Sequence, residues 1–166
     1  ILPTITMVDV VAINSTDLIF GYTNITAVRK NASAILQGFT STGIGTIAPV
    51  VVSNIGNSTQ IGTTPFTRLT QSHAISLSYF TTNSTIGYAF VNKSGDKIAF
   101  RTFNSTTGVA ALAVPVIINP LLGNLTVNLT NVLEFVTINA STGVVCEYDS
   151  GLDNDTTCHI ISAGNV

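Results

Sequence analysis

No long segment of this chain carries the 3.6-residue apolar period of an amphipathic helix, while β-branched and aromatic residues recur throughout in short runs. That combination restricts the chain to strands from end to end. The clearest pair is 85–91 with 97–103: Ile86, Tyr88 and Phe90 alternate with smaller residues, and Ile98 and Phe100 answer them across Asn92-Lys93-Ser94-Gly95-Asp96. Such alternation around a short Gly-containing loop predicts a hairpin. Further strands are expected at 17–22, 33–39, 46–53, 66–70, 74–80, 125–129, 133–138, 143–148 and 159–162, separated by clusters of Gly, Asn, Ser and Thr. The apolar run 109–118 reads as a buried strand or a short helix, and Pro115 favours a strand that bends or lies at an edge. Many short strands without intervening helices predict an all-β antiparallel sandwich, immunoglobulin-like or pilin-like.

A length of 166 residues is enough to enclose one two-layer core. Only 8% of the residues are charged, against about 25% in an ordinary domain, so something other than charge must hydrate the surface. The six basic and eight acidic side chains are scattered, leaving no basic stripe to attract a phosphate backbone. Nucleic acid is therefore not an expected partner. The longest apolar run, 109–118, is about half of what a helix needs to cross a bilayer, so no membrane span is expected. The chain opens without Met or a basic leader, and Ile1 reads as a mature N-terminus left after signal removal.

Hydration has an evident source in the Asn-x-Ser/Thr sequons. They occur at Asn14, Asn24, Asn31, Asn57, Asn83, Asn92, Asn104, Asn124, Asn128, Asn139 and Asn154, whereas Asn119 precedes Pro and does not qualify. The chain's own content of Asn, Ser and Thr would generate about three or four by chance. An excess of that size points to N-linked glycans and hence to an exported chain. Four of the sequons read Asn-Ser-Thr, at Asn14, Asn57, Asn83 and Asn104, amid turn residues where acceptors are exposed.

The two cysteines agree with export. Cys146 and Cys158 enclose a short loop with Asp149, Gly151, Asp153, Asn154 and Asp155, and a disulfide between them is expected to stabilise by about 3 kcal/mol. A zinc site lacks CxxC spacing and a fourth donor beyond His159. Asp149, Asp153 and Asp155 depart from the calcium-loop order and read as a solvated acidic turn. His73 and His159 fall on separate expected strands or strand edges, and no GxSxG, HExxH or phosphate-loop motif is present. The expectation is a protein that is not an enzyme and has no cofactor beyond covalent N-glycans. An isopeptide crosslink from Lys30, Lys93 or Lys97 to a neighbouring Asn or Asp stays open at this level.

Taken together, the apolar, strand-like opening Ile1-Leu2-Pro3-Thr4-Ile5-Thr6-Met7-Val8, the eleven sequons, the scarcity of charge and the all-β pattern resemble the thread pilins that build surface filaments of thermoacidophilic archaea. The resemblance covers the character of the whole chain and has no short signature motif. It implies an extracellular filament subunit whose N-terminal strand completes the fold of the next copy, giving a head-to-tail homopolymer with cell-surface or abiotic-surface contacts and an adhesion or biofilm role. The residues add their own argument: Ile1, Pro3, Ile5 and Met7 alternate with Thr4 and Thr6, and the phase then shifts to Val8 and Val10. Ile1, Leu2, Pro3, Ile5, Met7, Val8 and Val10 are accordingly expected to form the donor strand, with residues 1–13 as strand and connector and 14–166 as a single sandwich domain. Type IV pilins are a poor match, because Pro3, Asp9 and Asn14 interrupt the long opening helix they need. The alternative is a surface-layer or adhesin-type glycoprotein domain, with a viral structural protein as a weaker third.

Overall fold

The computed structural model describes residues 4–26, 31–57, 75–91, 98–111, 115–119, 132–149 and 155–162. These form eleven strands: β1 (Thr4–Ala12), β2 (Asp17–Thr26), β3 (Asn31–Thr40), β4 (Gly45–Asn57), β5 (Ile75–Phe80), β6 (Thr85–Val91), β7 (Ile98–Asn104), β8 (Val116–Asn119), β9 (Val132–Thr137), β10 (Thr142–Asp149) and β11 (Asp155–Ser162). All ladders are antiparallel, and there is no helix among the described residues. The expected hairpin is present, with Val91 opposite Ile98 and Thr85 opposite Asn104. Pro115 immediately precedes the short edge strand β8, where its missing N–H interrupts no ladder. The strands expected at 66–70 and 125–129 lie outside the described residues.

Three sheets result, each a meander of consecutive strands: β1-β2-β3-β4, β5-β6-β7-β8 and β9-β10-β11. The described strands therefore lack the exchange between sheets that defines an immunoglobulin sandwich. The β5–β8 sheet is covered on both faces. Ile75, Leu77, Ile86, Tyr88, Phe90, Ala99 and Phe103 pack against Ile19, Ala34, Leu36, Ile47 and Val52 of the first sheet. Phe80, Ala89, Ile98 and Phe100 pack on the other side against Leu133, Phe135, Val145 and Ile161 of the third. Alternation along β6 explains the division, since Ile86, Tyr88 and Phe90 point one way and Gly87 and Ala89 the other.

Small residues set how closely the layers approach. A Cβ on Gly87 would overlap the Phe135 ring, and one on Gly21 of β2 would overlap Leu77 and stand 2.9 Å from Tyr88 Cε2. Phe135 uses that space to meet Phe80 and Phe100, with ring centroids 5.6 and 5.4 Å apart. Tyr88 makes edge contacts with Phe90 and Phe103 in the opposite core. Each such pair is worth about 0.5–1.5 kcal/mol beyond the area it buries.

The edges of β5 and β9 are joined by side chains. The Phe135 N–H donates to Ser76 Oγ at 3.0 Å and the Thr137 N–H to Ser78 Oγ at 2.9 Å. The Ser76 hydroxyl in turn donates to Asp9 Oδ2 at 3.2 Å, and the same carboxylate oxygen accepts the Leu77 N–H at 2.7 Å. Strand β1 is thereby tied to β5, and two edges that would otherwise present free amides are satisfied.

Candidate functional site

The antiparallel order brings all the described turns to one end. Residues 13–16 join β1 to β2, 41–44 join β3 to β4, 81–84 join β5 to β6, 105–108 follow β7, and 138–141 join β9 to β10. Hydrogen bonds link them: Ser41 N–H to Thr16 O at 2.6 Å, Ser105 N–H to Ser84 O at 2.9 Å, and Thr82 N–H to Ala140 O at 3.1 Å. The turn after β7 reaches the first sheet, because a Cβ on Gly108 would lie 2.6 Å from Ile47 and 3.2 Å from Val50. This end carries four sequon asparagines, Asn14, Asn83, Asn104 and Asn139, all exposed.

Three of them fold alike because Asn can close a turn with its own side chain. Asn14 Oδ1 accepts the N–H groups of Thr16 and Asp17 at 2.7 and 2.8 Å and the Thr16 hydroxyl at 2.9 Å. Asn104 Oδ1 accepts the N–H groups of Thr106 and Thr107, both at 2.9 Å. Asn139 Oδ1 accepts those of Ser141 and Thr142, also at 2.9 Å. Bonding to N–H donors fixes which side-chain atom is the carbonyl, so the amide nitrogen takes no part in the bonds that close the turn. At Asn14 that nitrogen donates to Asp17 Oδ2 at 2.7 Å. Asn83 uses a different device: Ser84, the middle residue of its sequon, takes a left-handed backbone with φ of 48°.

The remaining sequons are elsewhere. Asn24 lies in β2, between β1 and β3, with its Oδ1 buried and without a hydrogen-bond partner. Asn31 begins β3, Asn57 ends β4, and the two are register partners at the end remote from the turns. Asn92, Asn124, Asn128 and Asn154 lie outside the described residues, as do Ile1, Leu2 and Pro3. Ile5, Met7, Val8 and Val10 belong to β1, which pairs within the chain to β2 through Ile5 with Asn24, Val8 with Tyr22 and Val10 with Phe20. The register shifts between Ile5 and Val8, where the sequence changes phase. Val8 and Val10 are exposed on the outer face.

Comparison with protein-family models, curated proteins and solved structures finds no match to this chain.

Cys146 and Cys158 are bonded to each other, directly opposed across β10 and β11 with Cα atoms 4.1 Å apart. Beside them, His159 Nε2 approaches the buried Glu147 Oε1 at 3.5 Å. Among the described residues, no group of three or more His, Cys, Asp and Glu is placed to hold a metal ion. Asp149 and Asp155 are register partners at the end of the disulfide-bearing hairpin, while Asp153, His73, Lys30, Lys93 and Lys97 fall outside the described residues. No helix among the described residues is long and apolar enough to cross a membrane. Sequence reasoning missed the roles of Asp9, Ser76 and Ser78. Asp9 did carry a signal, as the one charged residue in the apolar strand Val8 to Val11.

Proposed function

We propose that this chain is a structural subunit of an extracellular, heavily N-glycosylated surface filament, polymerised head to tail by transfer of its N-terminal strand to the next copy. The observation that carries this reading is the placement of β1. It is an edge strand with exposed valines and a broken register between Ile5 and Val8, held by Asp9 only beyond that break. An edge strand held in this way can exchange the residues before the break while the anchored part stays in place. The fully paired disulfide and the exposed sequon turns support an extracellular setting. Donation of a strand supplies backbone hydrogen bonds and apolar plugs together, so it can drive polymerisation without a separate docking surface.

The competing account keeps β1 as an ordinary first strand of its own sheet. Deleting residues 1–8 separates the two. Strand donation predicts a folded, unpolymerised subunit that a synthetic peptide of residues 1–10 binds and stabilises. Filaments of normal length from the truncated chain, seen by electron microscopy, would overturn it. A two-dimensional lattice from the intact chain would point to a surface-layer protein, and a persistent monomer to an adhesin-type domain.

A further inference from the structure

We propose that the turn end of the stack is one sugar-bearing pole, in which Asn14, Asn83, Asn104 and Asn139 each accept an N-linked oligosaccharide and close that end to packing between copies. The inference rests on the reading of the chain as an N-glycoprotein and adds where the sugars stand. Sequons scattered over more than a hundred residues converge there because Asn14, Asn83 and Asn139 lie within turns, and Asn104 immediately precedes one, at the same end of successive antiparallel hairpins. The linking bonds from Ser41 to Thr16, Ser105 to Ser84 and Thr82 to Ala140 join these turns into two groups, and the close approach of Gly108 to Ile47 and Val50 brings the two groups together.

The local chemistry suits the acceptor role. Transfer forms a C–N bond between the asparagine Nδ2 and the anomeric carbon of an oligosaccharide activated as a polyprenyl phosphate ester. The bond from that carbon to the phosphate oxygen breaks, the phosphate leaves with the electron pair, and the amide gives up one proton. At Asn104 and Asn139 the carbonyl is occupied inside the turn, which directs Nδ2 outward without disturbing the bonds that shape the turn. The transferase must also reach the peptide around the acceptor, and an exposed turn offers it where a strand paired on both sides does not. Asn24, within β2, is the internal contrast. Strand β1 starts at the opposite end, with Thr4 opposite Ile25. The pole thus leaves the sheet faces and the terminal strand free for assembly.

Glycopeptide mapping of the protein from its native source decides the matter. Sugar at all four positions, with lower occupancy at Asn24 and, within the four, at Asn14 whose nitrogen is held by Asp17, is the expected result. Bare asparagines at these four alongside modified sequons elsewhere would overturn the pole while leaving the glycoprotein reading intact. A chain without sugar at any sequon would overturn both. Closure of the pole has its own test, because both native cysteines are paired and Ser41→Cys provides a single thiol there. Coupling a polyethylene glycol maleimide to it should leave the sedimentation of assembled material unchanged, and tenfold or greater loss of assembly would sink the idea that this end is free of contacts.

Discussion

Gly87 and Gly45 have the same side chain and opposite surroundings. A Cβ on Gly87 meets the Phe135 ring and stands 3.0 Å from Phe100 Cε2, whereas one on Gly45 meets nothing within 4 Å. Gly87→Ala must push apart the layer in which Phe135 is wedged, so it is expected to lower stability by about 1–3 kcal/mol. Gly45→Ala introduces no overlap and restricts the unfolded chain, so it is expected to be neutral or to add up to about 1 kcal/mol. Urea unfolding of the two variants beside the parent checks the pair, and equal effects would show that the layer spacing at Gly87 is soft. The same crowding goes with the burial of Gly87 and Ala89, the smaller residues that alternate with Ile86, Tyr88 and Phe90.

Hairpins were legible in the sequence and layers were not, and β5 and β6 show why. In β6, Ile86, Tyr88 and Phe90 mark one buried face without ambiguity. The residues between them are small, and small residues look the same whether they face water or a tightly packed neighbour. In β5, Ser76 and Ser78 alternate with Ile75, Leu77 and Tyr79, yet both are buried, and each hydroxyl accepts an amide from β9. Nothing local in the sequence marks that pairing, since it depends on residues 59 positions away. Of the sequon turns, the positions were legible and the common end was not, for it emerges only once every hairpin has closed. The seam itself can be tested at Asp9. Asp9→Ala leaves the Leu77 N–H without its charged acceptor and is expected to cost about 1.5–3 kcal/mol. Asp9→Asn keeps an acceptor and should recover part of that loss. Hydrogen exchange at the Leu77 amide should quicken in the alanine variant, and an unchanged rate there would show that Asp9 does not hold the β1–β5 seam.

Across the whole molecule, charge is so sparse that few groups couple stability to pH. With eight carboxylates in 166 residues, few protons are taken up on acidification, and stability is expected to change little between neutral and strongly acidic solution. Alkali is a different case because of Tyr88. Burial first, then the nearby Asp9 and Tyr22, push its phenol far above the usual value of 10, and burial also raises Tyr22. Below pH 10 Tyr88 is protonated in both the folded and the unfolded chain, so its contribution is constant and fully present. Above that, the unfolded chain releases the proton while the folded one keeps it. The native state then binds more protons, and stability must fall as pH rises, by about 1.4 kcal/mol per pH unit for one such group. Tyr22 acts in the same direction. Tyr88→Phe removes the larger share of this linkage and leaves that of Tyr22, although at neutral pH it forfeits the hydrogen bond from the Tyr88 hydroxyl to Ile35 O at 3.2 Å, a loss of about 1 kcal/mol. Thermal melts of both proteins from pH 3 to 11 should run nearly flat and parallel up to about pH 10, where the unfolded tyrosine begins to ionise, and then converge as the parent declines more steeply than the variant, in which Tyr22 alone of the two still acts. Parallel curves across the whole range would mean that Tyr88 ionises as readily in the folded protein as in the unfolded chain, and its place in the dry centre of the stack would have to be given up.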